Sequence, residues 1–243
     1  MHANWHRPKR VKLTEAHDIK LELDVRCQKL IAKTLCTAFP RIPLLGEEGD
    51  SGDVTAEYRW VVDPIDGTVN YFFGMPHAAV SIALQVQSPK SKLQSHETVL
   101  GVIYDPFTDE LWTALRGGPA RLNGKIIRVS RRSRLADAVI AMGFSKSQEN
   151  LEKSLPHVNR LARRVKKIRI MGSAALELAY VASGRLDAYI ERTINLWDIA
   201  AGALLIECAG GEFYALPAPG GKLRMCADNG LLRHKLQVES LLK

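Results

Sequence analysis

The sequence lacks most of the signatures that would assign it at a glance. Its four cysteines, Cys27, Cys36, Cys208 and Cys226, form neither a CxxC pair nor a dense framework. That spacing argues against a small disulfide scaffold and favours a reducing compartment, the cytoplasm. The seven histidines supply no HxH or HExxH pattern, so zinc has no obvious ligand set. No GxSxG elbow offers a nucleophilic serine. The apolar runs are too short to span a bilayer. Between Met1 and Lys12 the basic residues His6, Arg7, Lys9, Arg10 and Lys12 have no apolar stretch behind them, so neither a signal peptide nor a membrane anchor is expected. Repeats and low-complexity windows are likewise missing.

What is present suits a folded enzyme or binding protein. The chain has 243 residues, 46% of them hydrophobic and 25% charged, enough to bury a full core as one large domain or two intimate halves. Its formal charge of +8 would attract anions, with basic runs at 7–12, 131–134 and 163–169. No aromatic residues interleave with those runs for base stacking, so nucleic acid is a disfavoured partner and the runs read as solvated faces. A phosphorylated small molecule would feel the same field.

Hydrophobic periodicity outlines the elements. Ile19, Leu23, Cys27, Leu30, Ile31 and Leu35 recur at helical spacing, predicting a helix over 18–39 that Pro40 ends. Short apolar runs at 42–45 and 59–62 read as strands that run into acidic, glycine-containing loops. Alternation at 80–86, followed by runs at 99–104 and 110–115 and turns at 105–109 and Asn123-Gly124, predicts a β-meander. Beyond Arg134, helices over 150–165, 173–181, 198–208 and 231–242 alternate with strands near Ile168 and over 186–190. This order predicts an α/β layered fold with a boundary near residue 130 and two halves packed as one body.

Three acidic clusters stand at the ends of apolar runs. In Trp60-Val61-Val62-Asp63-Pro64-Ile65-Asp66-Gly67-Thr68, a strand ends in two carboxylates three positions apart. Carboxylates and carbonyls in a tight turn are the hard oxygen ligands that magnesium accepts. If Gly67 and Thr68 open a short helix, their N–H groups would face an anion beside the metal. The other clusters are Gly46-Glu47-Glu48-Gly49-Asp50 and Asn195-Leu196-Trp197-Asp198. Each has a plainer reading: turn chemistry for Asp63 to Gly67, a solvated loop for Glu47 and Glu48, an N-cap on its own helix for Asp198. Convergence of all three would make a two- or three-ion site for hydrolysing a phosphate ester.

Together, Gly46-Glu47-Glu48, Asp63-Pro64-Ile65-Asp66-Gly67-Thr68-Val69-Asn70 and Trp197-Asp198-Ile199-Ala200-Ala201-Gly202 resemble the inositol monophosphatase family. The resemblance runs from about Asp18 to the C-terminus and takes in Gly101-Val102-Ile103-Tyr104-Asp105-Pro106, Leu122-Asn123-Gly124, Gly172-Ser173-Ala174-Ala175 and Glu207-Cys208-Ala209-Gly210-Gly211. It implies an α/β/α/β/α sandwich of the inositol monophosphatase and fructose-1,6-bisphosphatase type, a homodimer, and hydrolysis of a small phosphorylated metabolite. The reaction it implies is in-line attack by a metal-activated water. Two Mg2+ ions are implied, and a third that would lean on Glu47 or Glu48. Glu47, Asp63 and the Ile65 carbonyl would hold the first ion. Asp63, Asp66 and Asp198 would hold the second. Glu47, Thr68 and Asp24 would act on the water. Asp66, Gly67, Thr68, Ser173, Ala174, Glu191 and Asp198 would contact the substrate, with Glu191 accepting a hydroxyl of the alcohol.

Taken on their own, Ser173 also reads as a helix cap and Glu191 as a strand-end surface charge. The sequence departs from the family ahead of Asp18, where a long helix is usual, so a shortened N-terminal helical region is expected. It departs again at Lys20-Leu21-Glu22-Leu23-Asp24, where relatives carry a Val-Thr-x-x-Asp pattern. Related phosphatases act on histidinol phosphate, fructose 1,6-bisphosphate or 3'-phosphoadenosine nucleotides, and inositol 1-phosphate is the first substrate to try. The alternative in a different class is a catalytically weakened member that binds RNA or protein through its basic surfaces.

Overall fold

The computed structural model describes residues 1–15, 18–88, 96–144 and 148–237. In chain order the elements are β1 (Val11–Glu15), β2 (Asp18–Leu21), α1 (Glu22–Ala38), β3 (Leu44–Gly46), β4 (Tyr58–Asp66), α2 (Thr68–Phe72), β5 (Ala79–Gln87), β6 (His96–Asp105), β7 (Glu110–Leu115), β8 (Arg121–Leu122) and β9 (Lys125–Ile126). They continue with β10 (Val139–Met142), α3 (Gln148–Ala162), β11 (Lys167–Arg169), α4 (Ala174–Ala182), β12 (Ala188–Ile194), α5 (Leu196–Cys208), β13 (Glu212–Pro217), β14 (Leu223–Asp228) and α6 (Arg233–Leu236).

Two sheets carry the fold. The first has seven strands in the order β3-β4-β5-β6-β7-β8-β9, antiparallel apart from the β3–β4 pair. The second has the order β11-β10-β12-β14-β13, with β10 parallel to both β11 and β12. Helices α4 and α5 lie between the sheets in the main core, which includes Val61, Ile103, Trp112, Leu178, Leu205 and Met225. Helix α1 covers the outer face of the first sheet through Ile31, Ala32 and Leu35 against Leu44, Trp60 and Val62. Helices α3 and α6 cover the outer face of the second through Leu161 and Leu236 against Ile140 and Ile190. The result is the expected α/β/α/β/α order, and it follows from apolar stripes that must be buried on both sides of each sheet.

Several details differ from the sequence reading. The first helix begins at Glu22 because Asp24 Oδ2 accepts the Leu21 N–H at 2.7 Å and caps it. Asp18–Leu21 is instead a strand paired with Val11–Glu15. Leu30, assigned to the buried stripe, is 67% exposed. Strands β10, β13 and β14 are additional to the expected elements. β10 and β14 are buried on nearly every residue, so they lack the alternation that reveals a half-exposed strand. The closing helix is described only as Arg233–Leu236, and the remainder of the expected 231–242 span lies outside the described residues. Among the described residues no helix is long and apolar enough to cross a membrane.

Candidate metal centre

A bulge in β4 creates the core of the site. Side chains three apart on a regular strand face opposite ways. Here Asp63 pairs with Ser81 and Asp66 with Ala79, so three steps on β4 span two on β5. The extra residue brings both aspartates to one side. Pro64 sits within the bulge, where its missing N–H breaks no ladder bond. Asp63 Oδ1 accepts the Ile65 N–H at 2.9 Å, and the Ile65 carbonyl accepts the Thr68 hydroxyl at 2.9 Å. Gly67 has φ of 95°, and a Cβ there would lie 2.8 Å from the His77 carbonyl oxygen, so this turn requires glycine. Thr68 opens the five-residue helix α2.

The third aspartate arrives on α5. Asn195 is the N-cap and Asp198 the third residue, whose Oδ2 accepts the Asn195 N–H at 2.9 Å. The N-cap is thus Asn195 and not Asp198, whose carboxyl closes the capping box and keeps further acceptor positions for the site. Ser81 Oγ donates to the Trp197 carbonyl at 3.2 Å and ties the start of α5 to β5. Ligand atoms of Asp63, Asp66 and Asp198 all lie within 4.8 Å of one another.

Glu47 follows β3 directly and joins from the side of Asp63, close enough for the two carboxyl groups to share a hydrogen bond. Gln28, a residue the sequence reading passed over, holds this loop. Its Oε1 accepts the Glu48 N–H at 2.9 Å and its Nε2 donates to the Gly49 carbonyl at 2.7 Å. The signal in the sequence is spacing: Gln28 stands one turn after Asp24 and three residues before Ile31 on α1, which puts it on the packed face, where it is 7% exposed. Glu48 is drawn off to Lys20, 3.3 Å away.

The electrostatics are those of a site built for cations. Burial, then repulsion from Glu47, Asp66 and Asp198, holds the Asp63 carboxyl far above the usual range. Asp198 is raised by burial and by Asp66 and Glu47. Burial pushes Glu47 up to about 7. Asp66 reaches only about 6, because Ser173 and the α4 backbone donate to it against the burial penalty. Like charges about 4 Å apart repel by roughly 4 kcal/mol at an effective dielectric of about 20. Among the described residues no lysine or arginine is paired with Asp63, Asp66 or Asp198. An all-oxygen, multiply anionic donor set of this kind fits Mg2+.

The remaining expected site residues fall around this core. Asp24 is 3% exposed, its carboxyl raised to about 7 by burial and by Glu47 and Glu48, and its Oδ1 has no hydrogen-bond partner. The Thr68 hydroxyl turns to Ile65 instead of Asp24. Ser173 precedes α4, and its Oγ donates to Asp66 Oδ2 at 2.6 Å, while the Ala175 N–H donates to the same oxygen at 2.7 Å. Ala174 lies between them, 8% exposed. Glu191, on β12, accepts the Tyr189 hydroxyl and lines a small cavity with His157 and Arg192. Asn70 Nδ2 donates to the carbonyls of His77 and Met171, at 2.9 and 2.8 Å, and so joins α2 to the turn before α4. A larger crevice of about 330 Å³ runs along the other flank of α5, past Gln85, Thr98, Arg116 and Phe213, and includes none of these acids.

Comparison with known proteins agrees with this geometry. Residues 1–234 match the inositol monophosphatase family. An inositol-1-monophosphatase of Rhizobium meliloti is 43% identical over 213 residues, which are 87% of this chain and 76% of that protein. A Nus factor SuhB of Xylella fastidiosa is 42% identical over 208 residues, 83% of this chain and 72% of that protein. The crystal structure of the extragenic suppressor protein suhB from Bartonella henselae superposes with a TM-score of 0.88 at 36% identity, covering 100% of this chain and 92% of that one. The Thermotoga maritima IMPase gives 0.83 at 31% identity, over 99% and 90% of the two chains. The chain belongs to the inositol monophosphatase family.

Proposed function

We propose that this chain is a magnesium-dependent phosphomonoesterase that hydrolyses a small phosphorylated polyol, with inositol monophosphate as its first candidate. The observation that carries the reading is the convergence of Asp63, Asp66 and Asp198 from two elements onto one point, with no lysine or arginine paired to them among the described residues. Relatives named inositol monophosphatase add support. Glu47, Asp63 and the Ile65 carbonyl would hold one Mg2+, and Asp63, Asp66 and Asp198 a second. When bound, the ions would neutralise the carboxylates and acidify a water beside the phosphate.

The chain's own groups supply the rest. Thr68 spends its proton on the Ile65 carbonyl, which leaves its oxygen as an acceptor for a hydrogen of the attacking water. Glu47 would take the proton, with Asp24 Oδ1 as a further acceptor nearby. The Gly67 and Thr68 backbone would meet the phosphate. Ser173 keeps Asp66 in place, and Ala174 and Glu191 would face the alcohol. The water oxygen forms the new P–O bond, the ester P–O bond breaks, and the alcohol leaves with a proton.

On this reading residues 1–130 supply the metal and phosphate end and residues 131–243 supply Asp198 and the alcohol end of a single domain. A homodimer in the cytoplasm suits the family and the four free thiols. The test is phosphate release from inositol 1-phosphate, histidinol phosphate, fructose 1,6-bisphosphate and 3'-phosphoadenosine 5'-phosphate, with Mg2+ and with chelator. Release from none of them by the folded protein would refute the reading.

A second reading, binding of an anionic macromolecule such as RNA, draws on one arrangement. The Lys166 N–H donates to the Ala138 carbonyl at 2.9 Å, and Leu135 packs with Leu161, Val165 and Ile168. Exposed Arg131, Arg134, Arg163, Arg164, Lys166, Lys167 and Arg169 are thereby gathered around edge strand β11. Relatives named Nus factor SuhB make it worth measuring. RNA affinity that falls steeply with salt and survives Asp66→Asn would support it.

A further inference from the structure

The two ends of the proposed substrate site are anchored to one helix. At its start, Ser173 and Ala175 grip Asp66 Oδ2. Within the first turn of α4, Glu177, 1% exposed, accepts the Met171 N–H at 2.9 Å and lies beside the Tyr189 hydroxyl. Burial pushes Glu177 up to about 8, so at neutral pH it is chiefly the protonated acid. Tyr189, also 1% exposed, donates its hydroxyl proton to Glu191 Oε2. Tyr189 and Glu191 are two residues apart on β12 and so share the face turned toward α4.

A second strand shapes the same carboxylate from the other side. β10 runs parallel to β12 with Met142 opposite Ile190, which sets Gly143 beside Glu191. A Cβ at 143 would overlap the Glu191 carboxylate, so the space this side chain occupies exists only because residue 143 is glycine. The carboxyl ends of parallel strands are where open α/β sheets present ligand-binding groups. A carboxylate has about four acceptor positions, so the tyrosine bond orients Glu191 without exhausting it.

We propose that Tyr189, backed by Glu177 and given room by Gly143, is a positioning residue that fixes the Glu191 carboxylate to accept a hydroxyl of the alcohol. This rests on the phosphomonoesterase reading above and adds the group that orients its hydroxyl acceptor. Helix α4 then acts as a spacer between the phosphate end, through Asp66, and the hydroxyl end, through Tyr189 and Glu191.

The test is KM and kcat with Mg2+ for inositol 1-phosphate and for phenyl phosphate, which has no second hydroxyl. The wild type is compared with Tyr189→Phe and Gly143→Ala. Tyr189→Phe and Gly143→Ala are expected to raise KM for inositol 1-phosphate about tenfold, the loss of one oriented hydrogen bond, with kcat within about twofold. Their constants for phenyl phosphate stay at wild-type values. Equal losses on both esters, or no loss on either, overturn the proposal, as does a wild type that takes phenyl phosphate but not the polyol ester. Two variants guard against one failing to fold, because Tyr189→Phe removes a single oxygen and Gly143→Ala disturbs the other side of the carboxylate. A wild type that hydrolyses neither ester overturns the phosphatase reading itself.

Discussion

Two groups of buried aspartates in this molecule are treated in opposite ways. Asp187, wholly buried, accepts Arg132 Nε at 2.6 Å, the Ser130 hydroxyl and, through its other oxygen, the Val139 N–H at 2.7 Å. Asn229 closes that knot by donating to Ser130 Oγ and the Arg132 carbonyl. Asp63, Asp66 and Asp198 are gathered just as tightly and receive backbone and hydroxyl donors, yet no guanidinium or ammonium is paired with them among the described residues. Where an aspartate ties the segment before β10 to β12, the chain supplies the counter-charge. Where three aspartates meet at the turn between β4 and α2, the counter-charge is left to come from solution, and that difference is what marks a cation site.

The sharpest way to break the contrast is to remove one member of the unpaired group. Asp66→Asn is expected to lower turnover by well over 100-fold, beyond the 10- to 100-fold typical of residues behind a metal ligand. Circular dichroism and the melting temperature should stay close to wild type, since an amide oxygen can still accept from Ser173 or Ala175. The converse substitution, Arg132→Ala, should cost about 2 kcal/mol of stability, or roughly 6 °C in Tm for a chain of this size. The Arg132 side chain is 39% exposed, which keeps the effect below that of breaking a fully buried pair. Phosphate release per folded molecule should not change.

A smaller effect sharpens the picture of the loop. Gln28→Ala removes two hydrogen bonds to residues 48 and 49 and should weaken Mg2+ dependence about tenfold, read as a shift in the concentration needed for half-maximal rate. The smallest is a pH effect. Without cation, Asp66 at about 6 and Glu47 and Asp24 at about 7 sit above their unfolded values. The native state then holds more protons than the unfolded chain, so their contribution is complete below about pH 4 and is lost as pH rises toward 7. In chelator, Tm should decline across that window, and Mg2+ should flatten the decline. A chelator profile that rises instead would contradict the assignment.

Much of the site could be read from the sequence because its parts are local. Asp63 to Thr68 is one contiguous stretch, and Pro64 and Gly67 mark the break in regular strand that unites its aspartates. Asp198 carries a helix-start signal, and Glu47 follows a short strand. The links between these pieces were harder. Gln28 lies in a helix whose apolar spacing drew the reading to Leu30, which faces solvent, and that same spacing extended the helix back over the Asp18–Leu21 strand. Glu177 is the single carboxylate in an otherwise apolar helix, a signal of buried work that periodicity does not weigh. Tyr189 and Gly143 acquire meaning only from the parallel register of β10 and β12, which no spacing rule contains.

The most direct measurement is calorimetric titration of Mg2+ into the metal-free protein at pH 6.5, in two buffers of different ionisation enthalpy, for wild type and Asp63→Asn. The account predicts saturable binding with proton release in the wild type, because raised carboxyl groups must ionise to meet the cation, and loss of both in the variant. No saturable binding by the wild type, or equal binding by a folded Asp63→Asn protein, would contradict it.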